Sequence, residues 1–154
     1  MQNNFLKNKK IILSAGASGI GLATVKLLLS QGAFVYTCDI DKKNINKLKK
    51  NPYFNKKLFI SECDASKEDE VKKFYKEVSN KTKKIDGLIN NIGIAGPTSP
   101  LEKIKSEDWE KTLQVNVNSH FYFTKYAIPM IKKSKHGSII NISSTAGIDG
   151  FPNR

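Results

Sequence analysis

The chain has 154 residues, of which 39% are hydrophobic and 26% are charged, so its length and apolar content suit one globular domain with a buried core. The N-terminal segment lacks the apolar stretch of a secretion signal, and the first apolar run, residues 11–17, is far too short to span a bilayer. We therefore expect a single domain over residues 1–154, located in the cytoplasm, with no membrane partner. Cys38 and Cys63 have no metal-ligand spacing with each other or with the two histidines, so we predict reduced, structural thiols and no metal site.

The net charge of +12 would suit an acidic partner, because clustered cations find phosphate backbones. However, 25 of the 26 basic residues are lysine and Arg154 is the only arginine, whereas base readout and bidentate phosphate contacts favour the planar fork of arginine. The lysines are also scattered in small groups along the chain. We interpret the charge as a solvated surface and predict no nucleic-acid partner; a lysine-rich nucleic-acid binder with steep salt dependence is the third hypothesis.

Short apolar runs alternate with amphipathic segments along the chain, which is typical of βαβ units and a parallel sheet. The predicted strands are residues 10–15, 34–38, 58–61, 87–91 and 138–142, and the predicted helices are residues 19–31, 41–50, 67–81 and 106 to about 133. The expected fold class is α/β, a Rossmann-type doubly wound parallel sheet with the strand order 3-2-1-4-5-6. Because only five strands are predicted, we expect the sheet to be incomplete at its C-terminal side.

Three local signals predict helix ends. Gly32 follows the first helix where a C-cap glycine belongs. Asp41 is expected to cap the second helix. Ser66, with Asp69 three residues later, has the pattern of a capping box at the start of the third helix. That helix then carries apolar residues at helical spacing, which predict one buried stripe: Val71, Phe74, Tyr75 and Val78.

A glycine-rich turn separates the first strand from the first helix. Gly16, Gly19 and Gly21 lie there, where small residues and free N–H groups can hold a pyrophosphate at the positive end of a helix. The second strand ends at Asp39, 18 residues after Gly21, close to the roughly 20-residue spacing at which an acid meets the ribose hydroxyls of a dinucleotide. The competing interpretation is that this acid only caps the next helix. Turn, helix and acid together predict a dinucleotide site.

Asp39 also bears on the choice of cofactor, because a carboxylate at this position would repel a 2′-phosphate. Neither Ser18 in the turn nor Ile40 after the acid offers a compensating cation. We therefore predict NAD, and NADP only if lysines of nearby loops reach the phosphate.

These residues resemble the classical short-chain dehydrogenases/reductases, and the resemblance covers essentially the whole sequence. The family pattern T-G-x-x-x-G-x-G aligns with residues 14–21, with Ala15 in place of the first glycine. Alanine resists a positive φ, and Gly16 beside it is available to take that conformation. The resemblance implies that the cofactor is contacted by Ser14, Gly16, Ser18, Gly19, Ile20 and Gly21.

Two further motifs resemble the cofactor side of the family. Asp64 follows the third strand like the family's acid that meets the adenine, and residues 90–93 (Asn-Asn-Ile-Gly) resemble the family's N-N-A-G. The resemblance implies that Asn91 lies beside the cofactor and that Asn90 ties strands together.

Two more motifs resemble the catalytic side. Asn116 looks like the catalytic-site asparagine of the long helix; without the resemblance we would interpret it as a surface position. Ser143 and Ser144 follow the fifth strand, where the family keeps the serine that polarises the substrate carbonyl, and Ser144 matches that position better. The alternative for both serines is an ordinary hydroxyl-rich loop.

In the family a tyrosine acts as general acid/base, and a lysine four residues later lowers its pKa from a free value near 10. This pair belongs beyond Ser144, and no tyrosine follows Ser144 in this sequence. Tyr53 and Lys57 have the right spacing, but Pro52 indicates a turn, and the stretch enters the third strand from its N-terminal end. Ligands lie at the carboxyl ends of such strands, so we do not interpret this pair as catalytic.

The fifth predicted strand is apolar on both faces, as in strands that lie inside a parallel sheet. As an edge strand it would be exposed, so we expect the isolated chain to be poorly soluble or to associate through it.

The leading hypothesis is therefore the N-terminal part of an NAD-dependent oxidoreductase that moves a hydride between nicotinamide and an alcohol or carbonyl substrate, inactive by itself. The alternative is a non-catalytic NAD-binding module. The family resemblance implies a homo-oligomer for the full-length protein, assembled through the long helix. We interpret Trp109 and residues 121–123 (Phe-Tyr-Phe) as core and subunit packing.

Overall fold

The computed structural model describes residues 4–54 and 56–153, apart from the side chain of Tyr53. Within these residues, five parallel strands form one sheet in the order β3-β2-β1-β4-β5. The α/β fold class and the strand order are thus as predicted. Arg154 and the Tyr53 side chain, and with it the Tyr53–Lys57 spacing, lie outside the described part of the chain. The strands are Lys10–Ser14 (β1), Phe34–Asp39 (β2), Leu58–Glu62 (β3), Gly87–Asn90 (β4) and Ser138–Asn141 (β5).

Helices cover both faces of the sheet. The helices are Gly19–Ser30 (α1), Lys42–Lys50 (α2), Glu68–Ser79 (α3), Ser106–Leu113 (α4) and Ser119–Ile131 (α5). On one face α3 and α5 share a core cluster with Ile12 and Leu88, and on the other α1 packs with Ile11 and Leu13. Burial on both faces explains why the central strand β1 is an almost continuous apolar run. Among the residues that the structure describes, there is no helix with the length and hydrophobicity of a bilayer-spanning segment.

The predicted helix ends are partly confirmed. Gly32 follows α1 with φ 86° and its N–H donates to the Leu29 carbonyl, and Asp41 caps α2 by accepting the Asn44 N–H at 3.1 Å. The capping box at Ser66 is wrong, because the Ser66 hydroxyl donates to the Asp64 carboxylate at 2.7 Å and α3 begins at Glu68. Acidic side chains in the first turn of α3 stabilise its positive end instead. The predicted apolar stripe of α3 is buried: Val71, Phe74, Tyr75 and Val78.

The single long helix predicted after residue 106 is interrupted. A π-helical segment, Gln114–Asn118, joins α4 to α5. A π turn holds one more residue than an α turn, so it rotates the preceding side chains by about 100° relative to a continuous α-helix. The helical periodicity of the sequence does not show this insertion, because the apolar residues continue on both sides of it.

The turn after β1 carries an unexpected backbone conformation. Ala15 itself has φ 56°, in the left-handed region, whereas Gly16 does not take a positive φ. The Gly16 N–H donates to the Cys38 carbonyl at 3.0 Å, which fixes Gly16 as part of the link between β1 and β2. The strain therefore falls on the alanine rather than on the neighbouring glycine.

β5 is an exposed edge of the sheet. All four of its residues are exposed, and Ile140 has half of its side-chain surface open to solvent. Ile139 and Ile142 are 38% and 40% exposed. This exposure is what the sequence predicted for an apolar strand with no neighbour on one side.

We predict that Ala15→Gly stabilises the chain. Left-handed backbone costs a non-glycine residue about 1–2 kcal/mol, and part of that gain is offset by the greater entropy of glycine in the unfolded state. The free energy of unfolding in urea should rise by about 0.5–1 kcal/mol. Ala17→Gly is the matched control, because Ala17 is buried and has no positive φ; it should lower stability. Equal losses in both variants would contradict the proposed strain.

We also predict that the isolated chain self-associates through β5, because its edge presents unpaired backbone groups beside apolar side chains. Ile140→Lys should lower the mean mass in sedimentation velocity over a range of protein concentrations. Leu101→Lys, at a residue that is 77% exposed in the short 3-10 turn Leu101–Lys103, should leave the mass unchanged. A monomeric wild-type chain with cooperative unfolding would disprove this association.

Candidate functional site

Two adjoining pockets lie at the carboxyl ends of the strands, where loops from all five strands meet. The β2–β3 pocket, of about 700 Å³, is lined by the ends of β2 and β3 and by α4. The β4–β5 pocket, of about 840 Å³, is lined by the loops after β4 and β5 and by the π-helical segment and α5. Residues 92–94 line both pockets and form the wall between them. This is the edge at which open parallel sheets bind ligands.

The predicted site residues divide between the pockets. Asp39 and Asp64 line the β2–β3 pocket, whereas Asn91, Asn116 and Ser144 line the β4–β5 pocket. The remaining predicted contacts run from the last residue of β1 to the first turn of α1 and are not among the residues that line either pocket: Ser14, Gly16, Ser18, Gly19, Ile20 and Gly21. The structure therefore brings the residues predicted for the adenosine side and for the catalytic side to one sheet edge, on two sides of a common wall.

The turn after β1 leads directly into the N-terminus of α1. Gly19 has φ 50°, and a Cβ at Gly21 would collide with the Ala15 carbonyl and lie 2.8 Å from the Asn91 amide nitrogen. Only glycine fits this close packing of turn, helix and β4 loop. Ser18 makes no side-chain hydrogen bond to α1, and the first turn of α1 has no acidic residue. The positive end of this helix is thus open to an anion.

Asp39 is buried at the end of β2, with 8% of its surface exposed. One carboxylate oxygen accepts the Ala17 N–H at 2.9 Å and the other accepts the Asp41 N–H at 3.1 Å. The acid therefore does not cap α2; that role belongs to Asp41. Its bonds fix the carboxylate between the glycine-rich turn and the pocket, and each oxygen keeps a lone pair for a hydroxyl donor.

Asp64 follows β3, and its carboxylate is bonded by the next residues of the same loop, Ser66 and Lys67. Its Oδ1 accepts the Ser66 hydroxyl at 2.7 Å and the Ser66 N–H at 3.1 Å, and Oδ2 lies 3.3 Å from the Lys67 ammonium. Partial burial raises the pKa of this carboxyl, but the bonds from Ser66 and the charge of Lys67 outweigh it, so the pKa lies below its usual value. Asp64 is an ionised acceptor at neutral pH.

Two asparagines at the end of β4 have different partners. Asn91 donates its side-chain amide to the carbonyls of Ser14 and Ala15, and its backbone N–H donates to the Ser14 hydroxyl at 3.0 Å. Ser14 is fully buried by this contact. Asn90 donates to Asn141 of β5 at 2.7 Å. Asn90 thus ties neighbouring strands together, as the sequence predicted.

Asn116 lies in the π-helical segment and fixes the wall between the pockets. Its Oδ1 accepts the Ile94 N–H at 2.7 Å, and its Nδ2 donates to the Ile94 carbonyl at 2.9 Å. Ser144 is exposed and lines the β4–β5 pocket. Its hydroxyl accepts the Ala146 N–H at 3.2 Å. That hydroxyl keeps its own hydrogen for a second partner.

Sequence reasoning missed several polar residues of the site, among them His120 and Gln114. His120 lines the β4–β5 pocket with its Nε2 2.9 Å from the Ile92 carbonyl, and Gln114 lines the β2–β3 pocket. His120 lies one helical turn beyond Asn116, which was the only available signal. Gln114 had no signal, because its partner Ser66 is 48 residues away in the chain.

The residues fit a dinucleotide. An open helix N-terminus beside close-packed glycines suits a pyrophosphate, and a buried carboxylate beside it suits a pair of ribose hydroxyls. The β4–β5 pocket is lined by the exposed Ser144 and by Ile94, whose backbone is fixed by Asn116. The two pockets, which share the wall of residues 92–94, can thus each hold one half of a dinucleotide.

Comparison with known proteins agrees with this geometry. The sequence pattern of the family described as short chain dehydrogenase matches residues 9–154. The chain is 35% identical over 148 residues to the 3-oxoacyl-[acyl-carrier-protein] reductase FabG of Thermotoga maritima, covering 96% of this chain and 60% of that protein. It is 34% identical over 153 residues to the 2,5-dichloro-2,5-cyclohexadiene-1,4-diol dehydrogenase of Sphingobium indicum, covering 96% of this chain and 58% of that protein.

A solved structure of levodione reductase has the same fold. It superposes with a TM-score of 0.87 at 24% sequence identity, over 96% of this chain and 58% of that one. The chain thus spans about three fifths of the length of each of these proteins. The match over residues 9–154 and the identity to curated relatives agree with the glycine-rich turn, the strand order and the position of the pockets. The chain belongs to the short-chain dehydrogenase family.

Proposed function

We propose that this chain is the cofactor-binding part of an NAD-dependent oxidoreductase that transfers a hydride between nicotinamide and an alcohol or carbonyl substrate. The observation that carries the proposal is the Asp39 carboxylate, which is buried against the Ala17 N–H at the end of β2. A carboxylate held there accepts hydrogen bonds from ribose hydroxyls and repels a 2′-phosphate. The proposal therefore favours NAD over NADP.

The other proposed cofactor contacts come from the turn and the neighbouring loops. The turn of residues 14–21 and the N-terminus of α1 would hold the pyrophosphate, Asp64 the adenine, and Asn91 the segment beside the nicotinamide. Asn91 supports this role indirectly, because it fixes the carbonyls of Ser14 and Ala15 at the end of β1. A bound nicotinamide would supply the hydride acceptor or donor.

Asn116 and Ser144 are the catalytic positions that we propose for this chain. The free hydrogen of the Ser144 hydroxyl would hold and polarise the substrate oxygen in the β4–β5 pocket. Asn116 would keep the wall of that pocket in place through Ile94. Because no tyrosine follows Ser144 in the 154 residues, we propose that the chain alone binds the cofactor without turnover.

The alternative function is a non-catalytic NAD-binding module. It uses the same turn and the same two acids, and it needs neither Ser144 nor a substrate. The extent of the chain, about three fifths of its relatives, is compatible with both. We expect a cytoplasmic location for either function. Cys38 and Cys63 are free and buried, as expected for reduced, structural thiols.

We further propose that residues 1–154 form a single dinucleotide-binding domain that is truncated after the fifth strand, and that the full-length protein is a homo-oligomer. Exposed apolar residues recur every four positions along α4, the π-helical segment and α5, and this stripe supports a helical interface. Its members are Trp109, Leu113, Val117 and Phe121. Phe123, by contrast, is fully buried in the core.

We predict that Asp39→Asn changes cofactor preference. The substitution keeps the size of the side chain but removes the charge, so the ratio of NADP to NAD dissociation constants should fall by about 10-fold or more. Asp41→Asn is the matched control, because asparagine caps a helix as well as aspartate does. Both ratios are measured by calorimetric titration. An unchanged ratio in Asp39→Asn would remove the basis for assigning NAD.

We predict saturable binding of NADH by the 154-residue chain, seen as enhanced nicotinamide fluorescence, and no oxidation of NADH with aldehydes or ketones. A general acid at neutral pH needs a pKa near 7, and the described pocket contains no tyrosine–lysine pair to provide it. Turnover that disappears in Ser144→Ala would contradict the proposed inactivity and support catalysis. Absence of NADH binding, with salt-sensitive binding of nucleic acid instead, would contradict both proposed functions.

A further inference from the structure

Gln114 occupies the junction between α4 and the π-helical segment, and both ends of its side-chain amide are bonded. Its Nε2 donates to the Ser66 carbonyl at 2.5 Å, and its Oε1 accepts the Asn118 amide at 2.5 Å. The Tyr122 hydroxyl lies 3.5 Å from the same Nε2. A side chain that is only solvated would have no such fixed partners, so its position is determined from both sides.

Ser66 connects this amide to the β2–β3 pocket. While its carbonyl accepts from Gln114, its hydroxyl and its N–H both donate to the same oxygen of Asp64, at 2.7 Å and 3.1 Å. The Ser66 carbonyl shares its peptide group with the Lys67 N–H, which donates to the Asp64 carbonyl at 3.0 Å. A rotation of that peptide group would break the bond to Gln114 and the bond to the Asp64 backbone together. The turn that holds the Asp64 carboxylate is thus bonded to a side chain of the π-helical segment.

The same segment holds the opposite wall of the pocket. Asn116, two residues after Gln114, is bonded to both backbone groups of Ile94, and Ile94 lines the β2–β3 pocket together with Asp64 and Gln114. One short segment therefore fixes two sides of the space that would receive an adenine ring.

We propose that Gln114 is a positioning residue that holds Ser66 and, through Ser66, sets the Asp64 carboxylate to accept the amino group of an adenine. The inference rests on the proposed NAD-binding function. An amide is required because it donates to the Ser66 carbonyl and accepts from Asn118 at the same time. Methionine would fill the space without either bond, and glutamate would place a negative oxygen against the Ser66 carbonyl.

The test compares NAD with nicotinamide hypoxanthine dinucleotide, which carries a carbonyl oxygen in place of the adenine amino group. The wild-type chain should bind NAD about 10-fold more tightly, the value of one hydrogen bond to a charged acceptor. Gln114→Met and Gln114→Glu should bring the two dissociation constants within about 2-fold of each other. A residue that only supports packing would change both affinities equally.

The control is Lys132→Met, which replaces an exposed polar side chain just after α5 and should retain the preference for NAD. Circular dichroism checks folding, and if Gln114→Met does not fold, the isosteric Gln114→Glu decides. Retained preference in a folded Gln114 variant, or an equal loss of both affinities, would overturn the positioning role and leave NAD binding intact. A wild-type chain that binds neither dinucleotide would overturn the proposed function and this inference together.

Discussion

The pairing of β1 with β4 is the contact on which the rest of the molecule depends. These strands are neighbours in the sheet although α1, β2, α2, β3 and α3 separate them in the chain. At the N-terminal end, the Asp86 carboxylate accepts the Lys10 N–H at 3.0 Å and the Ser134 hydroxyl at 2.6 Å. At the carboxyl end, the Ser14 hydroxyl accepts the Asn91 N–H. The central strand pair is thus closed by side chains at both ends, in the register that places the glycine-rich turn beside the β4 loop.

That closure has an electrostatic component. Burial raises the pKa of Asp86, but the hydroxyl of Ser134, the Lys10 N–H and nearby lysines outweigh it and lower the pKa below its usual value. A carboxyl whose folded pKa is depressed contributes stability above its unfolded pKa and loses it as pH falls through the folded pKa. This carboxylate therefore stabilises the sheet at neutral pH, where it is ionised, and its contribution is lost as the solution becomes acidic. The reversal of strand order around β1 and β4 is also what opens the cleft between their loops.

The sequence was sufficient wherever the determining interaction is local or periodic. The strands end within one residue of their predicted bounds, and Asp41 caps α2 because aspartate bonds an N–H three residues on. It was insufficient where a distant partner competes for a group. Ser66 looks like a helix cap but gives its hydroxyl to Asp64. Ala15, rather than Gly16, takes the positive φ, while the Gly16 N–H is bonded to the Cys38 carbonyl of β2. The motif residues of the site were found by resemblance to a family, whereas Gln114 depends on a contact across 48 residues that no local pattern encodes.

The π-helical segment has a consequence for how this protein can vary in length. The segment Gln114–Asn118 adds one residue to a helical turn between α4 and α5 and so changes the rotational register of the two helices. Deleting one residue there would restore a plain α-helix and turn the α4 side chains by about 100° relative to those of α5. Trp109 and Leu113 would leave the line that they form with Phe121, and Gln114 would turn away from Ser66. A substitution in this region changes one side chain, whereas a change in residue number would rotate a whole helical face at once.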